Sequence, residues 1–180
     1  RRQRQDVYKR QEVARTLLDG SVSSYPNSVE LLSVRSVLNQ NTNDMTMMEA
    51  DLRKIILLQP QSAMAYNSLG YVLADRTDRI QEAYELIKHA YELSPNDPAI
   101  IDSMGWVQYK LGMFQEARDN LDKAYKLFPD AEVAAHLGEV LWMMGDKSAA
   151  TRLWRGALAT QPDNQYIRST MRRLDPSASL

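Results

Sequence analysis

Five prolines, Pro26, Pro60, Pro95, Pro129 and Pro162, punctuate the chain at intervals of 34, 35, 34 and 33 residues. Small residues repeat with them: Ala14, Ala83, Ala117 and Ala150 form one column, Ala90, Ala124 and Ala157 a second, and Gly70, Gly105 and Gly138 a third. Between these columns apolar residues recur at helical spacing, as in Leu69 and Leu73 followed by Ala83, Ile87 and Ala90, so each period reads as two amphipathic helices. A helix pair of this length cannot bury its apolar faces alone and must stack on its neighbours. The expected fold is all-α, a solenoid of antiparallel helix pairs.

Each column has a physical reason. The glycine falls in the first helix of a pair and the alanines in the second, where small side chains let two helices approach to about 8–10 Å. Leu in the glycine column is expected to force the helices apart, whereas Ala is expected to be tolerated. The proline closes the second helix, since its ring clashes with the preceding turn and it has no N–H to donate. Ser62, Asp97, Asp130 and Asp163 then stand where the next helix needs an N-cap acceptor, and Pro98 occupies the favoured first helical position.

Composition narrows the function classes. Lys and Arg number 22 against 23 Asp and Glu, a net charge of −1, which leaves no field to gather nucleic acid. There is no Cys, which excludes disulfides, thiolate metal sites and a cysteine nucleophile. No apolar run is long enough to span a membrane. Nor is there a glycine-rich phosphate loop, a catalytic carboxylate pair or a His-Glu metal motif, so no enzyme, metal or cofactor is expected. The chain opens on Arg1 without an apolar signal segment and is expected to be a fragment. Within residues 1–11, the stretch from Asp6 to Gln11 resembles the translation of a transposon mosaic end used as a sequencing adapter. It is expected to be a scar without biological meaning, the alternative being a solvated helix extension.

The column pattern resembles the tetratricopeptide repeat, whose unit is a 34-residue helix-turn-helix. It runs through Met104, Gly105, Gly112, Phe114, Ala117, Leu121, Ala124 and Pro129 in one unit, and through Leu137, Gly138, Leu141, Gly145, Ala150, Trp154, Ala157 and Pro162 in the next. The resemblance implies a right-handed superhelical solenoid. Its expected divisions are 12–28, the second helix of a truncated repeat; 29–62, a degenerate repeat with Ser36 for the glycine, Met48 and Ile55 for the alanines and Asn39 at an apolar place; then 63–97, 98–130 and 131–164; and a capping helix and tail over 165–180. The unit 63–97 carries one extra residue, placed in the turn from Asp75 to Arg79.

A narrower likeness lies in three strings: Leu69-Gly70-Tyr71-Val72-Leu73-Ala74-Asp75-Arg76, Asp102-Ser103-Met104-Gly105-Trp106-Val107 and Ala134-Ala135-His136-Leu137-Gly138-Glu139-Val140-Leu141-Trp142. They are similar to the C-terminal repeats of proteobacterial outer-membrane tetratricopeptide lipoproteins. At least one such protein is an adaptor delivering periplasmic substrates, cell-wall hydrolases among them, to a carboxyl-terminal processing protease. That resemblance implies the periplasmic face of the outer membrane and an anchor borne by a missing N-terminal part.

A solenoid of this kind exposes a concave face lined by the first helix of each unit. In register its candidate partner-binding residues are Asn67, Tyr71 and Asp75, then Asp102, Trp106, Tyr109 and Lys110, then Glu139, Trp142 and Met143, with Met64, Ala99, Glu132 and Ala135 beside them. Aromatics with polar handles among Asn, Asp, Glu and Lys suit an extended peptide. Tyr71, Trp106, Tyr109 and Trp142 are expected to form a continuous aromatic strip; the competing possibility is that Trp106 and Trp142 pack inward. Gln108 bears on this, because its column is normally apolar. His136 adjoins the groove without an evident carboxylate or nucleophile, and Arg168, Arg172 and Arg173 mark a basic helix face near the end. Three roles follow: an adaptor holding a protein or peptide, a structural subunit acting through self-association or its end surfaces, and a targeting arm of an enzyme.

Overall fold

The computed structural model describes the backbone of residues 2–42 and 44–175 and the side chains of residues 11–40, 42 and 44–175. The expectation of an adapter scar over residues 1–11 falls almost wholly on side chains outside the described residues. The described residues form ten helices and no strand: α1 (Arg2–Ser24), α2 (Val29–Asn41), α3 (Met45–Leu58), α4 (Ala63–Arg76), α5 (Ile80–Leu93), α6 (Pro98–Lys110), α7 (Phe114–Leu127), α8 (Ala131–Met143), α9 (Lys147–Thr160) and α10 (Gln165–Leu174). Two compact units divide within α4, one comprising Arg1–Leu69 and the other Gly70–Leu180.

Helix ends follow the punctuation. Pro60, Pro95, Pro129 and Pro162 each lie two residues beyond the end of a second helix. Asp97 accepts from Ala99 N at 2.9 Å and Asp130 from Glu132 N at 2.8 Å. Ser62 accepts from Ala65 N at 3.4 Å. At the last start, however, the cap is Asn164, which accepts from Ile167 N at 3.2 Å, and not Asp163. Gly112 and Gly145 turn the chain within their pairs at φ 80° and 94°, a left-handed conformation costly to any residue with a Cβ. The extra residue of 63–97 does not enlarge its turn. It lengthens α4 to 14 residues against 13 for α6 and α8, and the connection through residues 77–79 is held by Thr77, whose hydroxyl donates to Leu73 O at 2.7 Å.

In the second unit the glycine column sets how closely the helices of a pair approach. A Cβ on Gly70 would stand 2.6 Å from Ile87 Cγ1 and 3.0 Å from the Ala83 carbonyl oxygen. On Gly105 it would meet Leu121 Cγ at 2.6 Å and the Ala117 oxygen at 3.0 Å, and on Gly138 the Trp154 indole Nε1 at 2.0 Å. Alanine is therefore not the mild replacement the sequence suggests: at all three positions the first carbon already collides with a buried side chain, and at Gly70 and Gly105 it also presses on a carbonyl oxygen. Ala117, Leu121 and Ala124 of α7, and Ala150, Trp154 and Ala157 of α9, form the opposing buried stripes. Ile167 and Met171 of α10 close the last apolar cluster beside Trp154.

The first unit lacks the glycine and uses charge instead. Arg35 of α2 forks onto Asp51 of α3 at 2.7 and 2.9 Å and donates to Asp19 of α1 at 2.9 Å. Asp51 is 2% exposed, and its hydrogen bonds are the largest of the influences that raise the Arg35 pKa. Buried Asn39 accepts from Arg15 at 3.2 Å, and Arg15 also pairs with Asp44. Met48, Leu52 and Ile55 supply the apolar core of α3, with Met48 and Ile55 standing where α5, α7 and α9 have alanines.

Three stability outcomes follow, all read by urea unfolding. Gly138→Ala is expected to cost about 1–3 kcal/mol by overpacking against Trp154. Gly156→Ala, at a helical site with nothing within 4 Å of the new Cβ, is expected to stabilise by about 0.5–1 kcal/mol. Removing the guanidinium in Arg35→Ala strands the buried Asp51 carboxylate and is expected to cost about 3–5 kcal/mol.

Candidate functional site

Within the second unit, first helices α6 and α8 pack against each other, so residues one period apart are neighbours. Asp102 of α6 and His136 of α8, 34 positions apart, meet with His136 Nδ1 at 3.0 and 3.1 Å from the two carboxylate oxygens. The Trp106 indole lies flat on the His136 ring, centroids 4.1 Å apart, and the Lys110 ammonium sits 4.7 Å from the centre of the Trp106 ring. All three inner residues are buried: Asp102 and His136 are each 6% exposed and Trp106 5%. Burial alone would push the imidazole pKa down, but the charge and hydrogen bonds of Asp102, aided by Glu132 and Glu139, outweigh it and raise it.

The flanking tyrosines bond to acids further along. Tyr71 of α4 donates to Glu132 Oε1 of α8 at 2.6 Å, spanning two repeats. Tyr109 of α6 donates to Glu139 Oε1 at 3.0 Å, and Arg173 of α10 donates to Glu139 Oε2 at 2.5 Å. Burial and the adjoining Glu132 push the Tyr71 phenol far above its ordinary value. Burial, the charge of Glu139 and the hydrogen bond to it push Tyr109 up to about 12. Both hydroxyls are therefore fixed donors, already committed.

This geometry corrects the residues expected to line the groove. Asp102, Trp106 and Glu139 are not open to a partner; each is buried in contacts between repeats. Tyr71, Tyr109 and Trp142 are half-buried, while Asp75, Lys110 and Met143 are exposed. Asn67, on the part of α4 in the first unit, is half-buried with a buried Oδ1 that lacks a hydrogen-bond partner. The aromatic strip is also not continuous as expected. Tyr71, His136, Trp106, Tyr109 and Phe114 form one chain of ring contacts, whereas Trp142 stacks on Trp154 at 5.8 Å. Trp106 thus turns inward, while buried Gln108 accepts from Asn120 Nδ2 at 2.8 Å, a polar pair in place of an apolar contact.

Sequence reasoning missed three participants. His136 does have a carboxylate, and the signal was the 34-residue spacing from Asp102, the same spacing that joins Glu139 to Arg173. Glu132, placed beside the groove but not among its binding residues, holds Tyr71. The presumed basic face of α10 is divided: Arg173 reaches Glu139, while Arg168 donates to Pro162 O at 2.8 Å. Among the described residues no nucleophile joins the Asp102–His136 pair: Ser103 donates to its own helix at Ala99 O and the Trp106 ring covers the imidazole. Among the described residues no group of three or more His, Asp or Glu could hold a metal ion.

Residues 103–165 match the family model for the tetratricopeptide repeat. Over those residues the chain carries the tetratricopeptide repeat. It is 50% identical over 129 residues to the TPR repeat-containing protein PA4667 of Pseudomonas aeruginosa, a match that covers 72% of this chain and 22% of that relative. It is 28% identical over 100 residues to bacteriophage adsorption protein A of Escherichia coli, covering 56% of this chain and 10% of that one. The chain thus spans less than a quarter of either relative. Among solved structures, the tetratricopeptide protein TTC0263 of Thermus thermophilus superposes with a TM-score of 0.77 at 19% identity, over 95% of this chain and 93% of that one. MamA of Desulfovibrio magneticus, residues 41 to the end, superposes with a TM-score of 0.70 at 19% identity, over 89% and 92%. These likenesses establish the helical-repeat fold.

The raised His136 pKa has a definite consequence for stability. The native state holds this proton more tightly than the unfolded chain, whose imidazole titrates near about 6.5. The stabilisation is complete below that value and is lost as pH rises through the native pKa. Unfolding free energy measured from pH 5 to 9 is expected to fall across this window. Asp102→Asn is expected to flatten the fall and lower the His136 pKa followed by NMR.

Proposed function

We propose that this chain is a protein-interaction scaffold that holds a segment of a partner protein along the first helices of its second unit. Tetratricopeptide repeats generally mediate contacts between proteins and are generally non-enzymatic. The observation that carries the reading is an exposed rim beside a locked floor. Asp75 and Lys110, of opposite sign at equivalent places in neighbouring repeats, stay open to solvent next to half-buried Tyr71 and Tyr109, whose rings and hydroxyls are already fixed. A floor that loses little freedom on binding lowers the entropic cost of association. The rim charges then orient an extended backbone and speed its arrival. The buried Asp102–His136–Trp106 group supports this floor rather than touching the partner.

The finer role we propose is an adaptor that presents periplasmic substrates, cell-wall hydrolases among them, to a carboxyl-terminal processing protease at the periplasmic face of the outer membrane. It rests on the resemblance of the first-helix strings to lipoproteins of that kind. No helix among the described residues is long and apolar enough to cross a membrane. A structural assembly subunit is the alternative role.

Crosslinking capture from periplasmic extract, combined with light scattering, tests the reading. A monomeric chain that captures a protease and its substrates is the expected result; a closed oligomer without captured partners contradicts it. Lys110→Glu is expected to weaken capture about tenfold at low salt and less at high salt, with unfolding unchanged. Trp106→Ala is expected to cost about 3–5 kcal/mol of stability, because the ring is core.

A further inference from the structure

Helix α9 breaks two rules that its counterparts keep. It carries Lys147, Arg152 and Arg155 and no Asp or Glu, whereas α3, α5 and α7 each mix both signs. Its lysine also occupies the first turn, which the helix dipole disfavours and where α5 and α7 place Glu82 and Glu116 instead. Several exposed cations elsewhere pair with near neighbours, as Arg79 does with Glu82, Arg118 with Asp119 and Lys126 with Asp122. Among the described residues none of the three α9 cations forms an ion pair. A local electrostatic cost that no ion pair offsets marks a place to look for a partner.

The three cations line one open groove of about 470 Å³ with Trp142 of α8 and with Asp175 just beyond α10. Trp142 gives it a rigid apolar wall, backed by the buried Trp154 ring at 5.8 Å, and holds the Lys147 ammonium 4.8 Å above its own ring. Residues 147, 151 and 155 fall on one stripe of α9, with Arg152 alongside, so the positive charge runs along the helix beside the indole.

We propose that this groove is a docking surface for an acidic, extended segment of a partner protein, whose carboxylates meet Arg152 and Arg155 and whose apolar side chain rests on Trp142. Guanidinium forks suit carboxylates in two-point contact, and a partly desolvated aromatic wall adds an anchor. Charge complementarity selects a short acidic peptide over nucleic acid: three cations suffice for the first, while a chain of net charge −1 offers no continuous field to the second. The surface is separate from the Asp75–Lys110 rim and does not depend on it.

The test uses the whole chain and a fluorescein-labelled Asp/Glu-rich peptide containing one Phe, with the matching Asn/Gln peptide as control, read by fluorescence anisotropy. The acidic probe is expected to bind at least about tenfold more tightly than its amide control. The double change Arg152→Glu/Arg155→Glu is expected to lose about tenfold or more while thermal unfolding stays unchanged. Lys126→Glu on α7 and Lys110→Glu on α6 are expected to leave this binding intact, the latter separating the groove from the concave rim. Unchanged binding by the double variant overturns the proposal. So does an equal loss in Lys126→Glu, or equally tight binding of single-stranded DNA or phosphatidylglycerol vesicles at the same residues.

Discussion

Everything in the second unit depends on the absence of one carbon in three places. Gly70, Gly105 and Gly138 let a first helix rest directly on the second, with the opposing stripe of Ile87, Leu121 or Trp154 filling the space a Cβ would need. Helix propensity is lost at each glycine, about 1 kcal/mol against alanine, and contact with a fully buried large side chain offsets it. Because this close approach fixes the spacing of each pair, it also fixes where the outer faces of α6 and α8 meet. The polar and aromatic contacts between repeats follow from that distance.

Those contacts give the first helices a double use. A solenoid is stabilised by nearest-neighbour interfaces. Here the inner faces of neighbouring repeats are joined by Asp102 with His136, by Trp106 stacked on the same ring, and by Tyr109 with Glu139. Arg173 continues the series from the last helix onto Glu139. Buried carboxylates are costly unless paired, so the face is rigid because its acids are answered one period away. What stays exposed is the edge: Asp75, Lys110 and Met143 along the first helices, with the cations of α9 lining a groove beside Trp142.

The helix pairs were legible because their signals are local and periodic: proline two residues past each second helix, an acceptor at each helix start, and small residues in columns. The caps could be misplaced by one, as at Asn164, since neighbouring Asp and Asn side chains offer the same acceptor. Side-chain direction on the inner face was harder to read. Trp106 and Lys110 lie one turn apart on α6, yet one is buried and the other exposed, because His136 from the next repeat offers the indole a partner. Trp142, in the column of Tyr109, turns instead to Trp154, a ring available only in the last pair. The ion pairs were written in the sequence at 34 residues, from Asp102 to His136 and from Glu139 to Arg173, and become visible once charges are compared between periods rather than along a helix. The Asp19–Arg35–Asp51 group carries no such period, and only the packing of α1, α2 and α3 brings it together.

The central claim is that the inner-face residues join repeats to one another before they meet any partner. A double-mutant cycle on Asp102→Ala and His136→Ala, with unfolding free energies measured at pH 6 and again at pH 9, addresses it most directly. Coupling of about 1–3 kcal/mol at the lower pH, shrinking at the higher as the imidazolium is lost, is the predicted result. Additivity at both pH values, within the roughly 0.3–0.5 kcal/mol expected of independent sites, would contradict it.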